Sequence, residues 1–169
     1  MLTRNIINAV AKNDLIELLK KLDFFKFYTK KKFNLNKAIG KSGQRLLHIA
    51  TKQGNERVFL FLLLQPFIDI NITDYSGNTP AHYAVIFEQP NLLKFLKDAG
   101  ADFSLKNNSG HTLNDCIQVQ PKSEQGRKNK QEFEKILMDS SDSAKANFEY
   151  NSKEISILNF NPNKRFSFF

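Results

Sequence analysis

Three Ser-Gly pairs recur along the chain, Ser42-Gly43, Ser76-Gly77 and Ser109-Gly110, with their glycines 34 and 33 residues apart. Self-similarity at a fixed period of about 20–50 residues marks an architecture of stacked units. Such a unit cannot bury its apolar face alone, so its neighbours complete the core. The pairs also open similar runs. One reads Ser76-Gly77-Asn78-Thr79-Pro80-Ala81-His82-Tyr83-Ala84, an earlier one Ser42-Gly43-Gln44-Arg45-Leu46-Leu47-His48-Ile49-Ala50, and a later one begins Ser109-Gly110-His111-Thr112-Leu113. A second recurring half starts at Gly54-Asn55 and runs through Val58-Phe59-Leu60-Phe61-Leu62-Leu63.

The chemistry of each piece assigns it a place. Gly43, Gly77 and Gly110 supply the positive φ that a tight hairpin tip needs. Thr79 can cap a helix with its hydroxyl, and Pro80 follows at the first helical position, where a missing N–H costs nothing. Ala50 and Ala84 are small where two helices must approach closely. Leu62, Leu63, Leu93 and Leu96 fall at helical spacing on one buried stripe.

These residues resemble the ankyrin repeat, with its period of about 33 and its T-P-L-H-x-A signature. Asp69-Ile70-Asn71 and Gly100-Ala101-Asp102 match the family's exit into the next hairpin. The resemblance implies an all-α solenoid of about four repeats, helix-turn-helix pairs joined by short β-hairpin loops, with degenerate caps at both ends. The expected division is an ankyrin domain over 1–138. It comprises a cap repeat at 3–22, a basic aromatic insertion at 23–40, repeats at 41–73 and 74–106, and a degenerate repeat at 107–138. In the cap, Ile6, Ile7 and Val10 form one arm and Leu15, Ile16, Leu18 and Leu19 the other, with Asp14 as N-cap of the second arm. The segment Gln120 to Gly126 displaces the last helix, leaving Lys130 to Met138, with Phe133, Ile136 and Leu137, to close the stack. The Ser-, Asn- and Asp-rich stretch 139–169 is expected to be a disordered polar tail. Small stand-alone ankyrin proteins of parasites and insect-associated viruses look similar, including truncated inhibitor-of-kappa-B-like proteins.

Composition narrows the setting. The net charge of +8 favours acidic partners, with nucleic acid or anionic lipid as further attractants. One cysteine, Cys116, excludes an internal disulfide and fits a reducing compartment. No apolar run reaches the roughly 18 residues of a membrane span, and the N-terminus lacks a signal-peptide pattern. A monomer in the cytoplasm or nucleus is expected, or in a host cell if the protein is an effector. Abundant Phe, Lys and Asn share AT-rich codons, a hint of an AT-rich genome.

Catalysis has no supporting constellation. His48 and His82 occupy equivalent repeat positions, where the family's histidine orients a hairpin by hydrogen bonding. His111 has no second metal ligand nearby, and zinc needs about four. Cys116 lacks a neighbour that would lower its pKa. No nucleophile motif, phosphate loop or carboxylate pair appears, and no cofactor is expected.

Binding surfaces are the stronger signal. The resemblance implies partner contacts at hairpin tips and on the concave side of each first helix. These positions are Lys41, Ser42, Gln44, Lys52 and Gln53, then Tyr75, Ser76, Asn78, Ile86 and Phe87, then Asn108, Ser109 and His111. Tyr75 and the Ile86-Phe87 pair are candidate apolar anchors. Alternatively, Ile86 or Phe87 turns inward, because Glu88 replaces the usual Gly. A second candidate is the basic patch of Lys26, Lys30, Lys31, Lys32 and Lys37, interleaved with Phe24, Phe25, Phe27, Tyr28 and Phe33. It could grip nucleic acid or an anionic membrane, or be a helical extension whose aromatics pack while its lysines stay in solvent.

Overall fold

The computed structural model describes residues 2–29, 33–119 and 124–139. Among them are eight helices: α1 (Leu2–Ala11), α2 (Leu15–Thr29), α3 (Leu46–Lys52), α4 (Glu56–Leu63), α5 (Pro80–Ile86), α6 (Pro90–Asp98), α7 (Leu113–Gln118) and α8 (Glu124–Met138). Extended pairing among the described residues is limited to an isolated antiparallel bridge between Ile39 and Gln44. The helices pair in order, α1 with α2, α3 with α4, α5 with α6 and α7 with α8. The four first helices contact one another in series, and α4, α6 and α8 do likewise behind them. The result is a two-layered, all-α solenoid of four units.

The expected devices set these bounds. Thr79 caps α5 by accepting from the His82 backbone N–H, and Thr112 caps α7 by accepting from that of Asp115. Asp14 receives the Glu17 N–H at 2.8 Å at the head of α2. Ala50, Ala84, Leu62, Leu93 and Leu96 are fully buried, as are Phe59 and Phe133. Burial of side chains of this size contributes on the order of 2 kcal/mol each before entropy is counted.

Two local expectations need correction, both at helix bounds. On the second arm of the cap, Ile16 is 67% exposed, while Leu18 is fully buried. The helix α2 has only one face toward α1, and Ile16 is not on it. That helix also runs past 22 to Thr29, so the basic insertion begins inside a helix. The last helix starts at Glu124 rather than near Lys130, and it takes in Gly126. Gly126 is buried there, and the intrinsic helix cost of a single Gly, about 1 kcal/mol, is offset by packing. The expected disordered tail lies outside the described residues, apart from Asp139.

The first three helix pairs each turn at a residue with positive φ: Asn13 (55°), Gly54 (66°) and Glu88 (55°). Glu88 therefore takes a backbone state that favours glycine, and its side chain accepts a 2.9 Å bond from the buried Asn129 of α8. The α5 helix still ends at Ile86 despite the missing Gly.

Candidate functional site

The hairpin tips form a continuous hydrogen-bonded edge. Tyr75 N–H donates to Ser42 O at 3.0 Å, and Asn108 N–H donates to Ser76 O at 2.9 Å. The Asn108 side chain donates to Tyr75 O as well. Gly43 and Gly77 have φ of 68° and 77°. A Cβ at Gly43 would meet the Tyr75 ring at 2.3 Å, and one at Gly77 would meet the Asn108 backbone N at 2.7 Å. Glycine here serves the turn and the close approach of the next hairpin together.

Behind the tips lies a buried polar network. His48 Nδ1 accepts from Arg45 N–H, and its Nε2 faces Asn78 O at 2.9 Å. His82 repeats the pattern one unit on, with Nδ1 accepting from Thr79 N–H and Nε2 3.3 Å from His111 O. Each histidine thus ties its own helix start to the following hairpin. Burial pushes the pKa of both below the ordinary imidazole value, which favours the neutral ring these bonds require. Asp74 shapes its hairpin by accepting from Ser76 N–H and Asn78 N–H, each at 2.9 Å. Asn107 does the same for Ser109 and His111. Tyr83 donates its hydroxyl to Asp74 and accepts from Gln44, so three successive elements are joined through one phenol.

The candidate partner residues fall into two groups. Gln44 and Asn78 are half-buried and hold Tyr83, His48 and Asn107 in place. Lys41, Ser42, Lys52, Gln53, Tyr75, Ser76, Ile86, Asn108, Ser109 and His111 are exposed. Phe87 is half-buried, its ring 5.5 Å from that of Tyr83, with Lys52 Nζ 5.1 Å from its centroid. Ile86 stays 47% exposed. Thus Ile86 faces solvent, and the Phe87 ring packs near Tyr83 and carries the Lys52 ammonium.

Val119 and the Asp74–Tyr83 pair are not among the expected site residues. Val119 is 82% exposed and lies seven residues after the α7 cap Thr112, as Ile86 lies seven after Thr79. Counting from the caps would have found it. Asp74 and Tyr83 lack a marker, because the phenol that bonds Asp74 meets Gln44 only once neighbouring units are stacked.

Of the basic patch, Lys26 and Lys37 are exposed, whereas Lys30, Lys31 and Lys32 lie outside the described residues. So do the side chains of Phe24, Phe25, Phe27 and Tyr28, while Phe33, Leu35 and Ile39 pack on the core. Cys116 is buried, and burial first, then the neighbouring Asp115 charge, raises its thiol pKa, which disfavours a reactive thiolate. Among the described residues no group of three or more His, Cys, Asp or Glu side chains is placed to hold a metal ion. No described helix is long and apolar enough to cross a membrane.

Comparison with known proteins agrees with this geometry. An ankyrin repeat protein of fowlpox virus (strain NVSL) is 42% identical over 72 residues, 42% of this chain and 16% of its own length. The nuclear factor NF-kappa-B p105 subunit of Gallus gallus is 40% identical over 67 residues, 40% of this chain and 7% of its own. The chain therefore spans only a small part of these relatives. In three dimensions it is similar to a chain in the complex of a predatory endopeptidase from Bdellovibrio bacteriovorus with its immunity protein. That match has a TM-score of 0.59 at 24% identity, over 80% of this chain and 63% of the other, and shows the fold alone. The family of ankyrin repeats matches residues 6–107 in three copies, over the same helix pairs and hairpins. With the period, the caps and the paired histidines all in register with that match, the chain belongs to the ankyrin-repeat family.

Proposed function

We propose that the chain is a protein-binding module that holds a partner against its hairpin tips and first helices and carries out no catalysis of its own. The observation that carries this reading is the exposure of Tyr75 and Ile86 on a face whose backing is fixed by hydrogen bonds. Tyr75 is 63% exposed, yet its N–H and C=O are both bonded to neighbouring hairpins. A pre-formed surface loses little entropy on association, and exposed aromatics on it are efficient anchors.

In its finer form the reading is an adaptor or inhibitor of the cytoplasm or nucleus, acting by occupying its partner. The likeness to a poxvirus ankyrin protein and to the p105 subunit supports a host-directed inhibitor of the kappa-B-like kind. Affinity capture with the full chain, in parallel with Tyr75→Ala and Ile86→Ser, tests it. A specific partner lost from both variants supports the reading, and a partner retained by both contradicts it. A second reading, polyanion binding through segment 20–41, draws on the exposed Lys20, Lys26 and Lys37. It requires steep salt dependence and loss of binding when 23–38 is deleted.

A further inference from the structure

The last turns of the first helices form a row with a chemical gradient. Seven residues past the caps Arg45, Thr79 and Thr112 stand Lys52, Ile86 and Val119, all exposed. Four residues past the same caps stand Ile49, Tyr83 and Cys116, all buried, which give the row a closed floor. The row begins with a cation and continues with two apolar side chains.

The cation has a defined position and no ion-pair partner among the described residues. Lys52 Nζ lies 5.1 Å from the Phe87 ring centroid, an arrangement that fixes an ammonium without neutralising it. Ion pairs among the described residues join Lys21 to Glu17 and Lys128 to Glu124, and they involve none of Lys41, Arg45 and Lys52. Three carboxylates near this face in sequence are already engaged, and the exposed Glu56, four residues after Lys52, forms neither of these ion pairs. Asp74 is held by Tyr83 and its own turn, Glu88 by Asn129, and Asp115 by Thr112. The first full repeat therefore presents Lys41 and Lys52 as exposed positive charge, with the half-buried Arg45 bonded to Gly43 O, and the next two present apolar surface.

Spacing selects the shape of the occupant. Helices packed side by side sit about 8–10 Å apart, so the row repeats at about that interval. An α-helix rises about 1.5 Å per residue, and positions seven apart lie on one face at about 10.5 Å. An extended strand returns to one face at about 6.6 or 13 Å, each further from that interval than the helical repeat is. We propose that this row receives an acidic amphipathic α-helix of a partner protein. A carboxylate residue meets Lys52, and apolar residues one and two heptads further along meet Ile86 and Val119. The proposal rests on the protein-binding reading above and adds the chemistry and conformation of the partner segment.

The test uses the full chain and a labelled synthetic peptide of about three heptads with Glu, Leu and Leu at successive equivalent positions. Its controls are a twin with Lys for Glu, a version with Pro at the centre, polyglutamate and polyuridylate. Fluorescence anisotropy should show the Glu peptide binding about tenfold or more tighter than the Lys twin, and the Pro version losing that gain. Lys52→Glu should reverse the preference between the twins. Ile86→Ser with Val119→Ser should weaken the Glu peptide about tenfold, with an unchanged circular-dichroism melt.

Equal binding of the twins, equal binding of the Pro version, or equal binding of polyglutamate would overturn the proposal. Lys52-dependent binding of polyuridylate that matches the Glu peptide would assign the row to nucleic acid and overturn it too. Failure of the underlying reading looks different. A captured protein partner released by Lys52→Glu, with all peptides bound alike, removes the helix chemistry but keeps the face. A partner indifferent to Lys52→Glu, Ile86→Ser and Val119→Ser removes the face itself.

Discussion

The Tyr83 hydroxyl donates to the Asp74 carboxylate at 2.9 Å while accepting from the Gln44 amide at 2.7 Å. One phenol thus links the hairpin of its own unit to the hairpin of the unit before, directly beneath the exposed tips. Tyr83→Phe keeps the ring and removes the link, leaving Asp74 and Gln44 each short of one partner. A loss of about 1–3 kcal/mol is expected from denaturant unfolding, from the cost of an unmet buried polar group.

The same phenol should report on alkaline pH. Burial first, then the bond to Asp74, pushes its pKa up to about 12 from 10.0. Because the folded value is the higher one, the stabilisation is complete below pH 10. It is lost as the pH rises from there through about 12. An absorbance titration of the phenolates should therefore contain one late component, absent in Tyr83→Phe.

Acid should act through the histidines with the opposite sign. Burial depresses the folded pKa of His48 and His82 below 6.5, so the unfolded chain binds protons first as the pH falls. Their contribution is complete above pH 6.5 and declines as the pH drops from there through the folded values. The unfolding midpoint should fall between pH 7.5 and 5.5. That dependence should shrink in His48→Gln with His82→Gln, even though the double variant starts less stable.

The bounds of the fold were legible because they rest on local chemistry. Thr79, Pro80 and the hairpin glycines act on their own few residues, so spacing alone located them. The helical stripe of Leu62, Leu63, Leu93 and Leu96 needed only periodicity. By contrast, the bonds from Gln44 to Tyr83 and from Asn107 to Asn78 join different units, and no single repeat contains both partners. The exposure of Ile16 could not be read locally, because an apolar residue in a helix carries no label for the face it occupies. Val119 stands apart, because its position shows only when residues are counted seven on from each helix cap.

Strain at Phe67 offers a stability test remote from the binding face. Counted back from Asp69 and Asp102, whose N–H groups both donate to an Asn side chain of the preceding unit, Phe67 stands where Gly100 stands. It has φ of 68° and is 92% exposed. A bulky side chain at positive φ costs about 1–3 kcal/mol, and so exposed a ring recovers little by burial. Phe67→Gly should raise the denaturation midpoint, by about 1 kcal/mol after the entropy cost of the added glycine.

Phe87 and Ile86 should separate stability from recognition. Phe87→Ala removes the contacts with Tyr83 and Lys52 and should cost about 1–2 kcal/mol, below the value for a fully buried Phe. Ile86→Ala should stay within about 0.5 kcal/mol, as exposed sites do. Parallel unfolding curves decide this, and an Ile86→Ala loss as large as that of Phe87→Ala would contradict the placement of the two side chains.

Hydrogen–deuterium exchange on the full chain, free and bound to its captured partner, tests the binding face most directly. The account expects new protection at the hairpin tips around Ser42, Tyr75 and Asn108 and at the first-helix ends around Lys52, Ile86 and Val119. Protection confined to α4, α6 and α8, or to the 20–41 segment, would contradict it.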